Sequence, residues 1–164
     1  MPELRIRPAL MADADEIALV QHESWVKAYA SLLPKGFPLR SEGERILIWQ
    51  ERIVAHPCHT LLAEQDGALV GFVYWLPETS HQAMLRSLYL HPFFWRQGIG
   101  SRLLQQALDD MRRDGIRRVG LWVLVNNLRA ERFYLSQGFH YDGKLQSQPL
   151  GSGTYQQRHM IKVL

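Results

Sequence analysis

Residues 88–104 read LYLHPFFWRQGIGSRLL, and the rest of the chain can be placed around this stretch. An apolar run ends at His91, a loop with two glycines follows, and an apolar stripe with helical spacing begins at Ile99. This order predicts a strand, a glycine loop and a helix. Because a helix N-terminus presents unpaired N–H groups and the positive end of a dipole, the loop is a candidate phosphate site. Gly98 and Gly100 lack a Cβ and would let the backbone approach such a ligand.

Two common phosphate loops can be tested against this stretch, and both fail. A dinucleotide fingerprint needs a third glycine where Leu103 stands, and a P-loop needs Lys and then Ser or Thr where the chain has Ser101 and Arg102. A glycine turn that merely starts a surface helix remains an alternative. The glycines by themselves therefore indicate an anion site without naming the anion.

The composition is that of a soluble globular protein: 164 residues, 46% hydrophobic, 21% charged and a formal net charge of +3. We predict one domain over residues 1–164. A lone cysteine, Cys58, excludes an internal disulfide, and no signal segment or long apolar window is present, so we expect a cytoplasmic protein without a membrane span. Arginines at 112–118 are compatible with a solvated face, a nucleic-acid partner or a polyphosphate cofactor, and charge alone does not distinguish these possibilities. The histidine spacing predicts no metal site.

Hydrophobic periodicity and turn residues predict the order βααβββαβαββ, a mixed sheet with helices on both faces. Ser41 and Glu44 have the spacing of a capping box, and Asp66-Gly67 is a strong hairpin signal. We predict helices at about 12–33, 42–55, 98–114 and 128–137, and strands at 4–6, 59–65, 68–76, 83–90, 116–125, from 139, and 154–163. Residues 143–153 are predicted to be a flexible polar connection.

A second stretch, VNNLRAERFYLSQGF at 125–139, gives the glycine loop a context. Together the two stretches resemble the signatures of the GNAT superfamily (GCN5-related) of N-acetyltransferases, R/Q-x-x-G-x-G/A and N-x-x-A-x-x-F-Y followed by G-F. The first signature fits residues 95–100 except that Trp95 replaces Arg or Gln. The matches to the second are Asn127, Ala130, Phe133, Tyr134, Gly138 and Phe139.

The resemblance implies an α/β (α+β) GNAT fold with a mixed, mostly antiparallel sheet of six to seven strands. It implies that strands 83–90 and 116–125 splay apart to admit the pantetheine arm of acetyl-CoA. Trp25 and Tyr29 of the first helix would line the acceptor side. The residues implied to contact the cofactor are Leu88, Tyr89, Leu90, Trp95, Arg96, Gln97, Gly98, Ile99, Gly100, Ser101, Asn127, Ala130, Phe133 and Tyr134.

Acetyl transfer to an amine requires a neutral amine, donors for the oxyanion and a proton for the departing thiolate. The resemblance implies that Tyr134 is the general acid. This suits its chemistry, because an unperturbed phenol with a pKa of about 10 holds its proton at neutral pH, above a thiol at about 8.5. A tyrosine that only packs beside Phe133 is the alternative. Asn127 is either a contact at the mouth of the slot or a helix cap.

The general base is left open by the sequence. Many relatives carry a Glu on the central strand, and this chain has none between Gln82 and Tyr89. The candidates are Glu23, His81 and a water path to solvent. The resemblance therefore implies an acetyl-CoA-dependent N-acetyltransferase acting on a primary amine of a small molecule, peptide or protein. A catalytically weak acyl-CoA sensor or partner-binding module is the alternative, and homodimers are common in the family.

Overall fold

The computed structural model describes residues 3–29, 40–150 and 153–164. Its helices and strands follow one another in the predicted order βααβββαβαββ. Their bounds are β1 Leu4–Pro8, α1 Ala14–Tyr29, α2 Glu42–Ala55, β2 Thr60–Gln65, β3 Ala68–Pro77, β4 Gln82–Leu90, α3 Ile99–Arg113, β5 Arg118–Leu124, α4 Leu128–Ser136, β6 His140–Leu150 and β7 Gly153–Val163. Within these described residues, no helix is both long and apolar enough to cross a membrane.

The seven described strands form one sheet in the order β1-β2-β3-β4-β5-β7-β6. All neighbours are antiparallel except β4 and β5, which are parallel. These two strands pair only where Gln82–Met84 faces Arg118–Gly120, and the rest of each strand runs on without the other. The mixed, mostly antiparallel sheet and the splayed central strands are thus as expected.

Helices cover both faces of the sheet because the inner strands are apolar on both sides. Alternate residues of β2 and β3, such as Leu61 and Val73, face a core built on α3, while Leu62 and Phe72 face a second core built on α1 and α2. The apolar stripe of α3 is buried along its whole length, as its spacing predicted. Both layers therefore hold β4 in place, and β4 is the strand that carries the site described below.

Two local signals in the sequence are confirmed by the geometry. Asp66 and Gly67 both have positive φ, 52° and 82°, as the tight turn between β2 and β3 requires. Ser41 caps α2, and its hydroxyl accepts a hydrogen bond from the Glu44 N–H at 3.2 Å. These contacts fix the start of α2 and the turn of the first hairpin.

The prediction of a flexible connection at 143–153 was wrong. β6 continues to Leu150 and pairs with β7 along most of its length, with an irregularity in register between Tyr141 and Leu145 where Gly143 has a φ of 88°. Polar side chains on both faces of this ribbon removed the alternation that identifies a strand. The first helix also differs, since it opens with a 3-10 turn at Met11–Asp13; its predicted end near 33 lies outside the described residues.

Candidate active site

The glycine loop lies between the end of β4 and the start of α3. Arg96 and Gly98 both adopt the left-handed conformation, with φ of 64° and 79°, and the helix begins at Ile99. A Cβ placed on Gly98 would meet no atom within 4 Å, so space is open beside the first turn of the helix. An anion can reach the helix N-terminus at this point.

Gly100 has a different reason to be glycine. A Cβ there would lie 3.3 Å from Leu90 Cδ1 and 3.7 Å from Phe133 Cζ. The residue is therefore the point where α3 packs closely against β4 and α4. Its smallness brings the three elements of the site together, in addition to the access for a ligand that was expected from it.

Trp95, the residue that departs from the family pattern, ties the loop to β4. Its indole Nε1 donates to the Leu90 carbonyl at 2.9 Å, and the same carbonyl accepts from Ser24 Oγ of α1 at 2.6 Å. The other side of the indole carries the guanidinium of Arg129, 3.2 Å from the ring centroid. The tryptophan thus brings a positive charge from α4 to the loop.

A cavity of about 420 Å³ opens over this loop, between the end of β4, α3 and α4. We call it the loop cavity. Three arginines line it, Arg96, Arg129 and Arg132, and no carboxylate does among the residues that the structure describes, so its charge suits an anion. The full lining is Ser24, Leu88, Tyr89, Leu90, Trp95, Arg96, Gly98, Gly100, Ser101, Asn127, Arg129, Ala130, Arg132, Phe133 and Tyr134.

The loop cavity contains all but two of the residues expected to contact the cofactor. Gln97 instead donates from its amide to the Phe93 carbonyl at 3.2 Å, and the Ile99 side chain is buried in the core under α3. Sequence reasoning missed Arg129 and Arg132. Their spacing of three residues on the short helix places both on one face, which was a readable signal.

A second cavity of about 210 Å³ fills the gap where β4 and β5 separate. We call it the strand cavity. Its lining combines residues of α1, β4, β5, α4 and β7, which are Trp25, Leu85, Arg86, Ser87, Leu88, Tyr89, Leu121, Trp122, Val123, Leu124, Ala130, Tyr134, Tyr155 and Gln157. Trp122, Tyr155 and Gln157 were not expected, because no local pattern connects β5 and β7 to the glycine loop.

Tyr134 lines both cavities and lies where they meet. Its ring packs edge-on against Phe133 and Phe139, with centroids 5.3 Å and 5.6 Å away. Helix α4 positions it, and Asn127 caps that helix by accepting from the Ala130 N–H at 3.4 Å. Asn127 therefore caps the helix, and it also lines the loop cavity.

The two candidates for the base are placed differently. Glu23 Oε2 lies 2.9 Å from His91 Nε2, and His91 Nδ1 accepts from the Phe93 N–H at 3.3 Å. Because Nδ1 is an acceptor, Nε2 carries the proton and donates to Glu23. His81 precedes β4 at its far end, with Nδ1 3.3 Å from the Gly115 carbonyl. Neither residue lines either cavity, and His81 is not brought together with Tyr134.

The two aromatic residues expected on the acceptor side also differ in outcome. Trp25 of α1 lines the strand cavity beside Tyr134. Tyr29 is the last residue of α1, and its side chain lies outside the described part of the chain. The first helix therefore contributes one residue to the lining of the strand cavity.

The comparison with protein families decides the identity of this arrangement. The family model of the GNAT acetyltransferases matches residues 22–139, which include the glycine loop, helices α3 and α4, and the splayed strands β4 and β5. The chain belongs to the GNAT family of acetyltransferases. The predicted class of enzyme, an N-acetyltransferase that uses acetyl-CoA, is thereby confirmed.

Relatives of this GNAT chain are similar to it in sequence along most of its length. An uncharacterized N-acetyltransferase of Archaeoglobus fulgidus is 28% identical over 82% of this chain and 91% of its own. A spermidine N(1)-acetyltransferase of Thermoplasma acidophilum is 28% identical over 83% and 88%. The crystal structure of the PaiA N-acetyltransferase of Thermoplasma acidophilum, in complex with coenzyme A, is 26% identical and covers 99% of both chains with a TM-score of 0.76.

Proposed function

We propose that this GNAT protein moves an acetyl group from acetyl-CoA to a primary amine by direct attack, with Tyr134 as the general acid. The observation that carries the proposal is the position of Tyr134 at the junction of the two cavities. One cavity is suited to an anionic cofactor and the other to a small acceptor. A phenol at their junction can reach the sulfur of a thioester that extends from the first toward the second.

The loop cavity is the proposed site of the coenzyme. Its diphosphate would lie on the first turn of α3 beside Gly98, where the dipole and the N–H groups favour negative charge. Arg96, Arg129 and Arg132 would balance the phosphates. The pantetheine arm would then follow Leu88–Leu90, since this part of β4 has no pairing with β5.

The amine, the thioester, Tyr134 and water account for every bond and proton in the proposed reaction. The lone pair of a neutral amine attacks the thioester carbonyl carbon, and the new C–N bond gives a tetrahedral oxyanion. The C–S bond then breaks, and the sulfur takes the proton of the Tyr134 hydroxyl. The nitrogen loses its surplus proton to water, and that proton restores the phenol. The products are the acetylated amine and the free thiol of coenzyme A.

Water is the proposed acceptor of the proton from the amine. Glu23 is engaged by His91 and lies outside both cavities, and His81 lies at the other end of β4. The strand cavity is not fully enclosed, so water can enter it and accept a proton. Replacing Glu23 by Gln should therefore change turnover less than a change at Tyr134.

The test is Tyr134→Phe, which removes only the hydroxyl. We expect turnover, measured as thiol released from acetyl-CoA, to fall by about 100-fold or more, while CoA affinity measured by calorimetry stays within about twofold. Tyr74→Phe is the matched control, because Tyr74 is buried in the core on the other face of the sheet and lines neither cavity. Full turnover in Tyr134→Phe would remove the acid role. Saturable CoA binding without turnover on any amine would support the sensor instead.

A further inference from the structure

The charge of the strand cavity is of one sign. Among the described residues that line it, Arg86 alone is charged, and the lining holds no Asp, Glu, Lys or His. Arg86 is the extra residue of a β-bulge, since Tyr74 pairs with Ser87 and Trp75 pairs with Leu85. A bulge re-aims the side chain that it carries, and from this position Arg86 lines the strand cavity while the residue stays exposed to solvent.

Arg86 has no carboxylate partner among the described residues, whereas Arg7, Arg112 and Arg113 each do. A second guanidinium lies close to it. Burial lowers the pKa of Arg52, and the neighbouring positive charge of Arg86 lowers it further. Arg52 does not line the strand cavity, so Arg86 is the charge that an anionic group would meet there.

Five aromatic residues line the strand cavity, although most of the surface exposed to it is polar. They are Trp25, Tyr89, Trp122, Tyr134 and Tyr155. Rings can pack against a flat side chain, and polar groups between them can hydrogen-bond a polar ligand. The volume of about 210 Å³ is smaller than the sites that hold drug-sized ligands, which begin at about 300 Å³, so the occupant is a small molecule.

We propose that the acceptor is a free α-amino acid whose carboxylate pairs with Arg86. This inference rests on the proposed function and specifies its substrate. The guanidinium holds the carboxylate through two parallel hydrogen bonds, the aromatic walls take the side chain, and the amine faces Tyr134 and the thioester.

The strand cavity also helps to deprotonate the acceptor amine, which is the task of a general base. Partial removal from water disfavours the ammonium form of the amine, so the amine loses its proton more readily there than in bulk solvent. A linear polyamine carries several positive charges and finds no carboxylate among the described residues that line this cavity. The preference is thus opposite in charge to that of a spermidine acetyltransferase.

The first experiment compares acceptors that differ in one group. Phenylalanine, phenylalanine amide, phenethylamine and spermidine are each supplied with acetyl-CoA, and thiol release is followed. We expect kcat/KM for the amino acid to exceed that for its amide by about 10- to 100-fold, the range for a charge-assisted contact. The comparison is stringent, because the amide has the more acidic ammonium group and offers more neutral amine. An amide or spermidine as good as the acid would overturn the proposal.

The second experiment removes the charge. Arg86→Gln should raise KM for phenylalanine by about 10- to 100-fold, leave KM for acetyl-CoA in place, and bring the acid-to-amide ratio close to one. Arg112→Gln, on the exposed side of α3, is the matched control and should keep the ratio. An unchanged ratio in Arg86→Gln would refute this inference while the acetyltransferase stands. No thiol release with any amine would refute the proposed function itself.

Discussion

Gly98 shows how one residue can serve backbone geometry and ligand access together. Its φ of 79° belongs to the left-handed region, where a side chain is strained, and the space beside it is open. Gly115, at the other end of α3, has the same two properties, with a φ of 83° and nothing within 4 Å of an added Cβ. Substitutions at Gly98 and Gly115 should therefore strain the backbone equally, so a difference in CoA affinity between them reports on the ligand site.

We expect Gly98→Glu to lower CoA affinity by at least about 100-fold, because the carboxylate occupies and repels the phosphate position. Gly115→Glu should bind CoA like the wild type, although both variants lose about 1 kcal/mol of stability to the left-handed backbone. Calorimetric titration with CoA, with thermal unfolding run in parallel, measures both quantities. Equal loss of affinity in the two variants would indicate a general effect on the fold.

Trp95 departs from the family motif and still brings a positive charge to the loop. Its position breaks the family pattern, and the sequence offered only the neighbouring Arg96 as a replacement charge. In the structure Trp95 holds the guanidinium of Arg129 against its ring and fixes the Leu90 carbonyl. The positive charge comes from Arg129 of α4, which lies outside residues 95–100 and cannot be inferred from that motif.

At the scale of elements, a single ion network ties β1 to β2 and to the turn that opens α1. Arg7 donates to both oxygens of Asp13 at 2.8 Å and 2.9 Å, and its Nε donates to Glu64 at 2.7 Å. The hydrogen bond from Arg7 is the main reason that the pKa of Asp13 is lowered. Because the carboxylate is mostly shielded from solvent, the network contributes measurably to stability.

The sign of the pH effect follows from the lowered pKa of Asp13. The stabilisation is complete above the unfolded value of about 3.9 and is lost as the pH falls through the folded value. Asp13→Asn should therefore cost about 1–2 kcal/mol at pH 7, and the difference from wild type should shrink toward pH 3. Urea unfolding at pH 7, 5 and 3 measures it. Asp15→Asn, an exposed change in the same helix, should cost no more than about 0.5 kcal/mol.

The elements that the sequence identified were those with strong periodicity or strong punctuation. The stripe of α3, the N-cap at Ser41 and the turn at Asp66-Gly67 each depend on interactions between near neighbours in the chain. The start of β6 was predicted, but its continuation beyond Asp142 was missed because the polar residues there are held in a strand by pairing with β7. Pairing with another strand is a tertiary contact, and it leaves no trace in the local alternation of side chains.

For the whole molecule, the separation of β4 from β5 is the central feature. The two parallel strands share three residues of pairing and then diverge, so the end of β4 pairs with β3 on one side and faces the cavities on the other. Unpaired backbone groups at such an edge are available to an extended ligand. The proposed coenzyme arm would occupy this edge.

Hydrogen exchange provides a test at this scale. Saturating CoA should slow amide exchange in residues 85–90 and in the first turn of α3, because the ligand covers that edge and the helix N-terminus. β2, which is paired on both sides and lies away from the cavities, is the internal reference and should change little. Uniform slowing across the sheet would instead mean that CoA stabilises the fold without lying in the slot.

The sequence by itself determined the order of the elements, the family and the loop that would meet an anion, because these follow from periodicity, turn chemistry and two short signatures. Only the tertiary structure decided which distant residues share a cavity. Arg86, Trp122 and Tyr155 come from three different strands, and they meet Tyr134 only because β4 bulges and separates from β5. The charge of the strand cavity arises from that arrangement, so no single stretch of the chain could have revealed it.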